Sequence, residues 1–228
     1  GDEELNGIIS IGKFTKGEVN MMSKISDNIV FLDSSPNDHK FDSVKINYKL
    51  AINEALDYLV NLGHEEIGYI GSLKTLDDFK ENNIDVRFKV YKEYMENKNI
   101  YDEENVLNTD EMTAMSGYEL VKVFIKTSKK MPTAFFVSTD TISTGVLKAL
   151  DENNIKVPDD ISIIGFNDLI ASQHTIPPLT TVRVHIENLA SAAVDLIIER
   201  ITKGRKYCKK VVIPSELIIR KSSDIVKK

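Results

Sequence analysis

Residues 176–184 read IPPLTTVRV. Two adjacent prolines lock φ and remove two backbone donors, and the threonines and valines that follow favour extended backbone. The segment therefore cannot continue a helix. It stands between ISIIGF (162–166 with the preceding Ile161) and the long helical pattern HIENLASAAVDLIIERITKG, so the chain stiffens where one helix-bearing layer gives way to another. What surrounds it decides whether this is a turn inside one sheet or a passage between two.

Outward from that point, the chain alternates strand and helix. SDNIVFLDSS carries the continuous apolar run Ile29–Leu32, ended by Asp33, Ser34, Ser35 and Pro36, and NGIISIG at 6–12 reads the same way. Such runs suit strands buried on both faces. NYKLAINEALDYLVNLGH places Leu50, Ala51, Ala55, Leu56, Leu59 and Leu62 at three- and four-residue spacing, with Asn47 as a possible N-cap and Gly63 past the end. That spacing predicts a helix. A strand at EIGYIG (66–71) follows, then a helix from about Val86 to Lys98 burying Phe88, Tyr91, Tyr94 and Met95. The pairs ENVLNT with MSGYELVKVFIKT, and TAFFVS with TISTGVLKALDEN, repeat the pattern before ISIIGF. The fold class is α/β, with parallel sheets flanked by helices. Ligands of such sheets bind beyond the carboxyl ends of the strands, which here offer Asp33, Gly71-Ser72, Ser138-Thr139-Asp140 and Asn167-Asp168.

Composition excludes several classes. The 228 residues allow one large or two small domains, and 42% hydrophobic with 28% charged residues is ordinary for a globular chain. No apolar run approaches the roughly 20 residues of a membrane span, and GDEELNGIIS lacks the pattern of a secretory signal. One cysteine, Cys208, excludes an internal disulfide and fits a cytoplasmic location. The histidines 39, 64, 174 and 185 are scattered without metal-ligand spacing, so no metal or other cofactor is expected. The net charge of −6 argues against a phosphate backbone gripped by this chain itself, and the basic stretch KGRKYCKK at 203–210 reads as a solvated turn. GIISIGKFTKG spaces its glycines wrongly for a phosphate loop. No nucleophile–base pair or convergent pair of carboxylates is visible, so no catalytic residue is assigned and an enzyme is not expected.

The strand ends and their order resemble the effector-binding domain of the LacI/GalR family of bacterial transcription regulators. The resemblance runs over nearly the whole chain, through VFLDSSP (30–36), LVNLGHEEIGYIG (59–71), DVRFKVYKEYM (85–95), AMSGYE (114–119), FFVSTDTISTGVLKAL (135–150) and VPDDISIIGFNDLIASQHTIPPLTTV (157–182). Lactose-operon and evolved-β-galactosidase repressors look most similar. The resemblance implies a periplasmic-binding-protein-like fold of two lobes with an effector in the cleft between them. IPPLTTVRV becomes one of three crossings, beside DSVKIN (42–47) and the segment after KGRKYC. The expected first lobe is 1–45 with 183–205, and the second is 46–182 with 206–228. Members of the family begin with a helix-turn-helix and a further strand–helix–strand–helix unit; neither precedes NGIISIG here, so the expected first lobe is truncated, with an open sheet edge.

The resemblance also implies partners and site residues. A small-molecule sugar, guessed to be a galactoside, would be the effector; operator DNA would be reached through the absent N-terminal domain, and two copies would pair as a homodimer, with no membrane involved. The alternative is a sugar-binding protein that feeds a transporter. Arg87, just after the Asp85 cap, matches the effector-contacting arginine, whose planar fork suits paired oxygens. Asp33 is a further candidate, with a turn-capping role as the plainer possibility, and Ser72 is a weaker one. Asn167 stands where many relatives have aspartate and Thr139 where asparagine is frequent, while Asp140 is expected to cap the next helix. Met112 and Ile186 fall where relatives place an apolar platform, and could equally be core residues.

Overall fold

A computed structural model describes residues 5–74, 84–109 and 111–227. The chain divides into two compact units, with changes of unit at 47/48, 184/185 and 214/215.

The first unit holds a parallel sheet in the order β1 (Ile8–Ile11), β2 (Ile29–Leu32), β3 (Asp42–Ile46) and β9 (Lys210–Ile213). Helix α1 (Lys16–Ile25), whose apolar spacing is too faint to mark it in the sequence, links β1 to β2. Its start is a capping box: the Thr15 hydroxyl accepts from the Glu18 N–H at 3.3 Å, and the Glu18 carboxylate accepts from the Thr15 N–H at 2.8 Å. Ile29 and Phe31 are fully buried, and Phe31 lies edge-on between Phe14 and Phe41. Helix α6 (Ile186–Lys203) packs on the sheet through Leu189, Ala193, Leu196 and Ile197. It ends at Gly204, whose left-handed φ of 58° suits a residue without a Cβ.

Two sequence expectations are corrected here. Residues 206–214 belong to the first unit, because β9 runs parallel to β3 with Val44 opposite Val211. KGRKYCKK is not simply a solvated turn either. Arg205 is buried, its guanidinium forked onto the fully buried carboxylate of Asp42, and that pair pins the chain after α6 beside β3.

The second unit is a six-stranded sheet in the order β10 (Glu216–Ile218), β8 (Thr180–Arg183), β7 (Ser162–Asn167), β6 (Ala134–Val137), β4 (Ile67–Gly71) and β5 (Val106–Asn108); every pairing is parallel except β10 with β8. Adjacent residues of β6 feed opposite cores. Phe136 packs with Tyr69, Phe166 and residues of α2 (Tyr48–Asn61) and α3 (Val86–Asn97). Phe135 and Val137 pack with Phe124 of α4 (Ala114–Thr127) and Ile142, Val146 and Leu150 of α5 (Asp140–Glu152). The strand is apolar throughout because both faces are covered. The helix registers needed small revisions: Leu50 is exposed while Ile52 is buried, and in α3 Val90 takes the fully inward place expected of Phe88, which is only partly buried. Helices α4 and α5 touch through glycines, since a Cβ on Gly145 would stand 1.7 Å from the Ala114 carbonyl oxygen.

The threonines of IPPLTTVRV are inner-strand residues rather than a bare connector. Both are fully buried in β8. The Thr180 N–H donates to the Ser222 hydroxyl at 2.8 Å, and the Thr181 hydroxyl donates to Asp140 at 2.6 Å. The unit changes only after Val184.

Candidate functional site

In the second unit, β4, β6 and β7 run parallel, so their carboxyl ends lie on one edge of the sheet. The residues that follow them are Ser72, Ser138-Thr139-Asp140 and Asp168 after the strand-ending Asn167. This edge gathers most of the expected site residues. Asp85 caps α3, accepting from the Arg87 N–H at 2.8 Å, and the same carboxylate takes the Arg87 side chain in a two-point fork, Nε to Oδ1 at 3.0 Å and Nη2 to Oδ2 at 2.9 Å. Arg87 Nη1 donates to the Ser138 carbonyl at 3.2 Å, tying α3 to the end of β6. An arginine at a helix start opposes the dipole, and the neighbouring Asp85 charge offsets that penalty. Burial pulls the Arg87 pKa down, but the Asp85 carboxylate outweighs it and holds the guanidinium above its ordinary value. The arginine is a fixed cation.

Ser138 is the hub. Its hydroxyl lies 3.8 Å from the Met112 sulfur, and Met112 packs partly buried against the core of α4 and α5. Gly71 admits it: a Cβ there would fall 2.2 Å from the Ser138 hydroxyl. The Tyr69 hydroxyl donates to the Ser72 carbonyl at 3.3 Å, and burial pushes its pKa up, so it stays a neutral donor. The Ser72 hydroxyl is engaged locally, donating to the Lys74 carbonyl at 2.8 Å.

Thr139, not Asp140, is the N-cap of α5; its hydroxyl accepts from the Ile142 N–H at 3.3 Å. That corrects the expected role of Asp140, because Thr139 has the extended backbone a cap requires while Asp140 is already helical. Asp140 is buried, and its carboxylate accepts from the Leu169 N–H at 2.8 Å and the Ser172 and Thr181 hydroxyls at 2.6 Å each. It thereby fastens α5 to β8 and to the segment after β7. Gly165 makes room for it, since a Cβ would meet Oδ1 at 2.2 Å.

Asn167 has a φ of 112° and Asp168 one of 54°, both in the region L side chains rarely adopt. The Asn167 carbonyl accepts from Val184 N–H at 3.4 Å. Asp168 holds two arginines, Arg183 Nε at 2.7 Å and Arg220 Nη2 at 2.6 Å. The pairs hold the unusual turn in place from β8 and from the segment after β10.

The other two candidates lie in the first unit. Asp33 ends β2 with a left-handed φ of 63°, donates its N–H to the Val44 carbonyl at 2.9 Å, and stands 3.7 Å from Lys13 Nζ, whose ammonium also reaches the Asp33 carbonyl. Ile186 opens α6 and is 61% exposed, so the core role considered for it does not apply. Asp85, Ser138, Asp168, Arg183 and Arg220 were not assigned as site or supporting residues from sequence beyond the Asp85 cap and the strand-end positions of Ser138 and Asp168. Arg183 and Arg220 meet only through Asp168, and nothing in their local spacing signals it.

Two α/β units, with polar side chains collected at the ends of the second unit's parallel strands, define the class of periplasmic-binding-protein-like domains. Residues 56–223 match the family model described as a periplasmic binding protein-like domain. The chain is 32% identical over 221 residues to the HTH-type transcriptional regulator GanR of Bacillus subtilis (strain 168), covering 96% of this chain and 67% of the relative. It is 34% identical, also over 221 residues, to the HTH-type transcriptional regulator GalR of Streptococcus thermophilus, covering 97% and 66%. A crystal structure of a LacI transcriptional regulator from Bacillus cereus subsp. cytotoxis NVH 391-98 superposes with a TM-score of 0.82 at 25% identity, over 96% of this chain and 76% of that one. The chain belongs to the LacI/GalR family of transcription regulators, as its periplasmic-binding-protein-like effector domain. It spans about two-thirds of the length of the curated relatives it matches. Among the described residues no helix is long and apolar enough to cross a membrane, and no cluster of potential metal ligands occurs.

Proposed function

We propose that the chain senses a sugar for a bacterial transcription repressor that acts in the cytoplasm as a homodimer and meets operator DNA through a helix-turn-helix segment. The effector is a galactoside or a near relative, and it contacts Arg87, Thr139 and Asn167, with Met112 as the apolar surface under the ring. Asp33, Ser72 and Ile186 are secondary contacts. Lobe limits near residues 46, 183 and 214 form part of the reading.

The observation that carries it is the state of Arg87. A rigidly held guanidinium with two N–H donors still to give, tied to the end of β6 on the sheet edge that also carries Thr139 and Asn167, matches neighbouring sugar hydroxyls. The ligand changes DNA binding only if it prefers one conformation of the protein over another. Isothermal titration with galactosides, glucosides and purines is the test. Micromolar heat from one sugar class is the expected result. Silence from all galactosides would remove that effector.

A further inference from the structure

One of the two-point edges of Arg87, the Nε/Nη2 edge, is already filled, and by a carboxylate that cancels its charge. Guanidinium recognises carboxylate and phosphate best through two parallel N–H bonds, and Nε with Nη2 spend theirs on Asp85. Asp85 and Arg87 are both largely shielded, at 11% and 17% side-chain exposure, so the pair presents a local charge of zero. Of the five N–H donors of an arginine, three have partners among the described residues, leaving one on Nη1 and one on Nη2. Those two can serve hydroxyl oxygens. A phosphate brought to them would also meet the Asp85 carboxylate a few ångströms behind, and like charge disfavours that approach.

From this geometry we propose that Asp85 is the specificity-determining residue of the site: by filling one edge of Arg87 and cancelling its charge, it makes the site accept uncharged polyhydroxyl ligands and reject phosphorylated ones. The inference rests on Arg87 belonging to the effector site. It goes beyond that reading by assigning the discrimination to one carboxylate. Replacing the aspartate by asparagine removes its charge and, by setting an amide N–H against Nη2, frees that donor, while the helix cap and its bond to the Arg87 N–H are kept.

The experiment compares the unmodified protein, Asp85→Asn, and the double variant Asp85→Asn/Arg87→Ala. Thermal melting is followed with and without inorganic phosphate at about 20 mM against chloride of equal ionic strength, since a ligand that binds only the native state raises the melting temperature. We expect no gain for the unmodified protein, a gain of a few degrees for Asp85→Asn, and loss of that gain in the double variant. In titrations, galactose 6-phosphate is expected to bind Asp85→Asn at least ~10-fold tighter than it binds the unmodified protein, the scale of one charge-assisted bond gained. Equal phosphate stabilisation of the unmodified protein, no gain in Asp85→Asn, or a gain that survives Arg87→Ala would each overturn the proposal. Silence from every neutral sugar with the phosphate pattern intact would sink the sugar reading and leave only the exclusion of phosphate by Asp85 standing, so the two ideas fail separately.

Discussion

Arg205 and Arg87 are both forked onto an aspartate, one in each unit, and they are left in opposite states. Arg205 is 3% exposed at its side chain against an Asp42 at 0%. Nη1 and Nη2 serve Asp42, Nη1 also reaches the Tyr207 carbonyl, and Nε, 3.5 Å from Glu199, is buried without a hydrogen bond. Arg200 Nη1 stands 3.4 Å from the same carboxylate, and the Lys209 N–H donates to it at 2.6 Å. Arg87 is 17% exposed, so the donors it has left stay within reach of a ligand. The same ion pair thus works as a fastening when it is sealed from solvent and as a poised recognition group when its arginine keeps some exposure. A third carboxylate, Asp140, sits between these cases, buried yet held by neutral donors.

The comparison is broken most forcefully at Asp42. Asp42→Ala leaves the buried Arg205 and the part-buried Arg200 without their carboxylate, which typically costs about 3–5 kcal/mol. Urea unfolding would read that loss, and a cost under about 1 kcal/mol would mean that the pair fastens nothing. Asp140→Ala comes next. It strips the Leu169 N–H and two buried hydroxyls of their acceptor, at about 1–3 kcal/mol. Asp140→Asn should recover most of this, because its oxygen can still accept from Leu169 and Ser172 while its amide donates to Thr181; equal losses in the two variants would show that the negative charge itself matters. Arg87→Ala is expected to leave the melting temperature within a few degrees while abolishing effector binding in titration. Retained affinity would remove Arg87 from the site.

The smallest effect is a pH dependence in the second unit. Burial holds the His64 pKa below its ordinary value of 6.5, against the opposing influence of the Asp224 carbonyl, which its Nε2 meets at 3.0 Å. The unfolded chain therefore binds this proton more readily than the native one. Stability from this group is fully present above pH 6.5 and falls as acidification passes from that value towards the lower native pKa. His64→Gln should flatten the slope in that window, and an unchanged slope between about pH 5 and 7 would assign it to other groups.

Local patterning made the second unit's alternation visible, because each helix writes its own apolar spacing and each buried strand its own apolar run. Thr139 and Asn167 were legible as strand-end residues for the same reason. Helix α1 was not, since it buries only Val19 and so carries a faint stripe. The roles of Asp42 and Arg205 were hidden by distance: a lysine-rich turn read as solvated until its arginine met a carboxylate from another strand. Asp140 was misread as a cap because an aspartate at a helix start fits that role locally, whereas its three partners come from the β7–β8 connection and from β8.

The sequence by itself determined the α/β class, most element positions, the strand ends as the place to look and, through its motifs, the family. Tertiary structure alone decided which unit claims β9, which arginine is sealed in and which is poised, and what each buried aspartate holds. The physical reason is that apolar periodicity is a property of neighbouring residues, while the state of a buried charge depends on donors brought together from across the chain.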